Sequence, residues 1–157
     1  MTRPLLEAKQ LVVEIGGNTV VDRIDLRIAS GERVAILGRN GAGKSTLLST
    51  LAGLRPPKAG VLLLDGEDAA LLHAREAALR RAWLGQFQSD PFGSTVLETA
   101  LTGRHPHLGR WNWESTRDAE LARGALKAVG LDGMETRQIH TLSGGERQRL
   151  SIATLLT

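Results

Sequence analysis

The segment Gly38-Arg39-Asn40-Gly41-Ala42-Gly43-Lys44-Ser45-Thr46 restricts the possible folds of this chain more than any other. Before it, Val34-Ala35-Ile36-Leu37 is an unbroken apolar run, as expected of a strand covered on both faces in a parallel sheet. After it, residues 44–52 read as a helix that stops near Gly53, with Pro56 and Pro57 just beyond. The spacing G-x-x-x-x-G-K-[ST] between a strand and a helix predicts a phosphate cradle. Glycines are needed because successive amides must turn inward around an anion, where a Cβ would obstruct and positive φ would be costly. The helix start adds the positive end of its dipole. Gly38, Asn40, Gly41, Ala42 and Gly43 would line the cradle, Lys44 would reach the β- and γ-phosphates of a nucleotide, and Ser45 would ligate the Mg²⁺ that bridges them. Thr46 faces the α-phosphate in this reading. Kinases, GTPases and motor ATPases share such a loop, so it does not choose among them.

The whole sequence of 157 residues is consistent with one α/β domain or a large piece of one, since 41% hydrophobic residues can fill a core. With no cysteine, disulfides and thiolate metal sites are excluded. No run approaches the ~20 apolar residues that cross a bilayer, and the N-terminus lacks a signal-peptide core. The net charge of +3 is spread over many arginines rather than gathered into a basic patch. Leu11–Ile15, a Gly16-Gly17-Asn18 turn and an alternating second run with Ile24, Leu26 and Ile28 predict an opening hairpin. Residues 60–65 form another expected strand, closed by Asp65-Gly66 as a turn, and residues 69–81 read as a helix with Leu71, Leu72, Ala78 and Leu79 apolar. Beyond residue 87 the pattern turns helical. Thr95/Glu98 and Ser143/Glu146 fit capping boxes, and residues 118–129 read as a helix ended by Gly130. The division expected is therefore 1–87, a β subdomain with the phosphate-loop core, and 88–157, a helical subdomain.

Leu142-Ser143-Gly144-Gly145-Glu146-Arg147-Gln148-Arg149 is the second informative stretch. Ser143 caps a helix whose first amides belong to Gly144 and Gly145, residues that let an anion approach the backbone, so a second phosphate site is implied. This octapeptide resembles the LSGGQ signature of ABC ATPases in its LSGGERQR form. With the loop at Gly38–Thr46 it makes the chain similar to an ABC transporter ATP-binding subunit.

The resemblance implies a P-loop NTPase core with an N-terminal antiparallel β subdomain and an inserted helical subdomain. It also implies a head-to-tail dimer with a second ABC subunit, the signature of one copy closing over ATP held by the other. Ala82–Gln86 is similar to the family's glutamine loop, giving Gln86 a role with Mg²⁺ and the attacking water, with Gln88 as a nearby competitor. Ile15 stands where many relatives carry an aromatic ring against adenine, which leaves apolar contact only. Residues 151–157 are an apolar helical run without a stop signal, and the family's Asp-Glu strand and switch histidine are not in this sequence, so the resemblance implies a chain cut before them. Asp65 reads as a turn residue rather than part of that strand.

Residues 101–109, with Gly103-Arg104-His105-Pro106-His107, resemble a stretch of importers for ferric siderophores, haem and cobalamin, which implies a docking surface for the permease at 95–113. Trp111 and Trp113 fit that surface or the subdomain core, with core preferred for one of them. The partners implied are transmembrane permease subunits and, indirectly, a substrate-binding protein, at the cytoplasmic face of the inner membrane. A soluble ABC ATPase acting on nucleic acid or ribosomes, or a fragment that binds ATP without hydrolysing it, are the alternatives. Lacking a long basic linker or coiled-coil insertion, the chain favours the transporter, and no nucleic-acid partner is expected.

Overall fold

The computed structural model describes residues 3–86, 93–109 and 112–157, which form two compact units, 1–81 and 82–157.

In the first unit, strand β1 (Leu6–Ile15) pairs antiparallel with β2 (Asn18–Ile28). Gly16 and Gly17 join them at φ 55° and 83°, the double positive φ that a two-residue hairpin turn requires. On its other edge β1 pairs antiparallel with β3 (Ala59–Leu64), which turns through Asp65 and Gly66 into the short β4 (Glu67–Asp68). The order is β2-β1-β3-β4. Asp65 and Gly66 also adopt positive φ, 48° and 68°, so Asp65 is a turn residue here. Helix α1 (Lys44–Leu51) lays Leu47 and Leu51 on the sheet, where Ala8, Leu11, Val13 and Leu62 are buried. Full burial of a side chain such as Leu11 contributes roughly 1.5–3 kcal/mol.

Two expectations change. Residues 33–37 form no ladder with any described strand, and Val34 and Leu37 are 46% and 89% exposed while Ile36 packs on the core. An apolar run becomes a strand only when its N–H and C=O groups find a neighbouring chain, and none of the described strands lies beside it. The helix expected from residue 69 begins later, as α2 (Ala74–Arg80). Asp68 instead accepts a hydrogen bond from the Ala70 amide at 2.9 Å, an Asx-type turn that competes with helix. Leu71 is consequently exposed, and the buried residue of α2 is Ala77.

The second unit is helical: α3 (Val96–Leu101), a 3-10 segment at Thr102–His107, α4 (Thr116–Ala128) and α5 (Gly144–Leu156). Each of the three α-helices starts with a capping box, at Thr95/Glu98, Ser115/Asp118 and Ser143/Glu146. The Ser115 box sets the start of α4 at Thr116 rather than Asp118. Gly130 ends that helix at φ 72°, and Leu131 donates back to the Leu126 carbonyl at 2.9 Å. Val96, Ala100, Ala122, Leu126, Leu131, Ile139, Leu142, Leu150 and Ala153 make the core. Trp113 is 89% exposed, so it is not the core tryptophan, and Trp111 lies outside the described residues.

Candidate phosphate-binding sites

The phosphate loop sits between the extended run 33–37 and α1. Gly41 and Gly43 both hold φ 80°, and Gly43 is the N-cap of α1. With no capping side chain there, the amides of Lys44, Ser45 and Thr46 face outward from the first turn without intrahelical partners, as an anion requires. The ring of the loop is tightened by the Ala42 amide donating to the Arg39 carbonyl at 3.2 Å. Lys44 closes its mouth: Nζ donates to the Gly38 carbonyl at 2.8 Å and to the Arg39 carbonyl at 2.7 Å. The ammonium is thus held against the loop by two backbone carbonyls. A Cβ on Gly38 would touch Ala42 and Lys44 at 3.8 Å, ordinary contact, so this glycine is not fixed by crowding within the loop. Gly43 is, because a Cβ there would come within 2.7 Å of Val20 on β2.

Asn40, Gly41, Ala42 and Ser45 are exposed and Thr46 is half-buried. The chemistry fits the groups expected. Inward glycine amides and one ammonium suit phosphate oxygens, and the Ser45 hydroxyl is a hard oxygen donor of the kind Mg²⁺ takes. Ile15, the last residue of β1, pairs with Asn18 and is 38% exposed, an apolar side chain at the hairpin end.

The second unit carries the other candidates. Ser143 caps α5: its hydroxyl and amide both donate to the Glu146 carboxylate at 2.7 Å, and the Glu146 amide donates back to Ser143 Oγ at 3.3 Å. These bonds from Ser143, first its hydroxyl, together with Arg137 and Arg149, hold the Glu146 carboxyl below the usual range. Ser143, Gly144 and Gly145 are exposed, and a Cβ on Gly144 would meet nothing within 4 Å. Arg147 and Arg137 brace the approach to the helix, donating to the carbonyls of His140 and Thr141 at 3.2 Å. Gln86 is exposed and lies in no regular element, and its competitor Gln88 is outside the described residues.

Sequence reasoning missed Val20, which becomes a neighbour of the loop only through hairpin register. It also missed Ser115, whose S-x-x-D signal was present, and the carbonyls of Gly38 and Arg39 as partners for Lys44.

The profile described as ABC transporter matches residues 21–157, most of the chain. The chain belongs to the ABC transporter family. It is 39% identical over 154 residues to the petrobactin import ATP-binding protein FpuD of Bacillus anthracis, covering 96% of this chain and 55% of the relative. With the hemin import ATP-binding protein HmuV of Deinococcus radiodurans it shares 42% identity over 153 residues, 98% of this chain and 57% of the relative. Among solved structures, an inward-facing conformation of a metal-chelate type ABC transporter superposes with a TM-score of 0.77 at 28% identity, covering 98% of this chain and 55% of the other. This ABC chain therefore spans a little over half the length of the relatives it matches. The fold shared with that solved structure is that of an ABC ATPase domain, present here in part as an antiparallel β unit and a helical unit.

Proposed function

We propose that this chain carries the nucleotide-binding part of the energising subunit of an ABC importer, which couples ATP binding and hydrolysis to uptake of an iron chelate or haem. The observation that carries the reading is the Gly38–Thr46 loop closed by Lys44, in a chain whose relatives are named for petrobactin and hemin import. Lys44 and the loop amides would bind the phosphates of ATP, and Ser45 and Gln86 would hold Mg²⁺, which when bound neutralises charge between β- and γ-phosphates. Ser143, Gly144 and Gly145 would meet the γ-phosphate of ATP held by a second subunit, so turnover needs a dimer. Transmembrane permease subunits and, through them, a substrate-binding protein are the further partners, which places the subunit at the cytoplasmic face of the inner membrane. Among the described residues no helix is long and apolar enough to cross a membrane, which is compatible with a peripheral subunit.

The test is reconstitution of the full-length protein with its permease in vesicles, with ferric siderophore or haem supplied through a binding protein. ATP-dependent uptake that disappears with Lys44→Ala is the expected result. Uptake that persists in that variant, or ATPase activity that responds to nucleic acid and not to the permease, would overturn the reading.

A further inference from the structure

Helix α5 is held near its Ser143–Gly145 start and again at residues 154–157 by one stretch of chain. At the signature end, the start of α3 grips the approach loop: Val96 donates to the Arg137 carbonyl at 2.9 Å, Leu97 to Glu135 at 3.0 Å, and Ile139 donates back to the Ser94 carbonyl at 3.0 Å. α3 then packs against α5 and continues into Thr102–His107. There Gly103 presses onto α5 at its residues 154–157, so closely that a Cβ would collide with the Thr154 carbonyl oxygen. The next residue fastens this contact. Arg104 Nε donates to Asp118 Oδ1 at 2.8 Å and Nη1 to the Thr157 carbonyl at 2.8 Å, with both side chains largely buried. Asp118 is itself fixed by the Ser115 amide and hydroxyl at 2.9 and 2.6 Å.

We infer that Arg104 is a positioning residue for ATP turnover: by tying the 3-10 segment to the start of α4 and to α5 at Thr157, it fixes where the Ser143–Gly145 end of α5 points. Between Gly144 and Thr154 α5 is a stiff rod about 15 Å long, so how the helix is held at one point sets where the other lies. The inference rests on the reading of Ser143–Gly145 as a phosphate site. Arg104 touches no nucleotide in this account. A buried pair kept for stability alone would lower melting temperature without selecting among kinetic constants.

The experiment uses the full-length protein, with ATPase kinetics, a fluorescent-nucleotide titration and thermal melting on Arg104→Ala, Arg104→Lys and Ser143→Ala. Arg104→Ala is expected to lower kcat roughly ten- to hundredfold, since small misplacements of a catalytic group have effects of that size. Nucleotide affinity should stay within about twofold, because the phosphate loop is untouched. Arg104→Lys, which keeps the charge beside Asp118, should recover part of kcat, and it carries the test if the alanine variant does not fold. Unchanged kcat in both Arg104 variants while Ser143→Ala loses turnover would overturn this inference alone. So would kcat, affinity and melting temperature falling together in both. Full turnover in Ser143→Ala would instead remove the signature reading and the inference with it.

Discussion

Val20 of β2 packs directly on Gly43, the residue that starts the helix of the phosphate loop: a Cβ built on the glycine would lie 2.7 Å from the Val20 Cβ. Gly43 also holds φ 80°, so any substitution meets both a clash and a strained backbone, the latter costing ~1–2 kcal/mol. Gly43→Ala should therefore weaken ATP binding by about tenfold or more. Adding Val20→Ala removes the clash but not the strain, so the double variant should recover part of that loss. A nucleotide titration in which Gly43→Ala binds like the parent would show that the hairpin does not shape the loop.

Lys44→Ala removes two hydrogen bonds that close the loop as well as the charge proposed to meet phosphate. Hydrogen bonds to charged groups contribute ~1.5–3 kcal/mol, which corresponds to about ten- to hundredfold in affinity. Lys44→Arg is expected to fail as well, because the planar guanidinium cannot direct its donors at both the Gly38 and Arg39 carbonyls in the space of an ammonium. Calorimetric titration of ATP checks both, and retention of parental affinity by either variant would reject the geometry.

Much of this site is legible in the sequence because its chemistry lies in local spacing. The glycines at 38, 41 and 43, the lysine at 44 and the Ser143/Glu146 box each act on residues within a few positions, so they can be read without the fold. The hairpin was legible for the same reason, its turn being two glycines between alternating runs. What could not be read depends on partners distant in sequence. Residues 33–37 have the composition of a covered strand, but composition cannot say whether a neighbouring strand is there to pair with it. Leu71 looked like a helix-face residue until the Asp68 turn delayed α2. Val20 over Gly43 and Arg104 on Asp118 join residues 23 and 14 apart, and no periodicity announces either.

Two glycines make opposite predictions on stability. Gly60 holds φ 88° on β3, and its missing Cβ leaves room for the Gln10 carbonyl, with which a Cβ would collide. That contact is backbone to backbone and cannot be relieved by a rotamer change, so Gly60→Ala should destabilise the β unit by about 2 kcal/mol or more. Gly124 sits inside α4 with nothing within 4 Å of its absent Cβ. Gly124→Ala should stabilise the helical unit by ~0.5–1 kcal/mol. Urea melts of both variants decide the matter, and stabilisation by Gly60→Ala would mean that β1 and β3 do not pair in this register.

The helical unit should lose stability in acid through its three caps. Glu98, Asp118 and Glu146 each have a carboxyl held below its usual range: Glu98 by the Thr95 amide and then its hydroxyl, Asp118 by the Ser115 hydroxyl and amide and then Arg104, Glu146 by the Ser143 hydroxyl and amide and then the nearby arginines. Because the folded state binds these protons less readily than the unfolded chain, the stabilisation is complete above the ordinary carboxylate values of 4.5 for Glu and 3.8 for Asp. It is lost as pH falls below them and through the lowered folded values. Far-UV circular dichroism in an acid titration at fixed ionic strength should show helix lost progressively below that range. The double variant Ser115→Ala, Ser143→Ala removes the hydroxyl donors, so its carboxyls titrate nearer their ordinary values. Its stability should be lower than the parent's at neutral pH and should change less with acid. A double variant whose acid dependence is as steep as the parent's would show that the caps are not what ties this unit to pH.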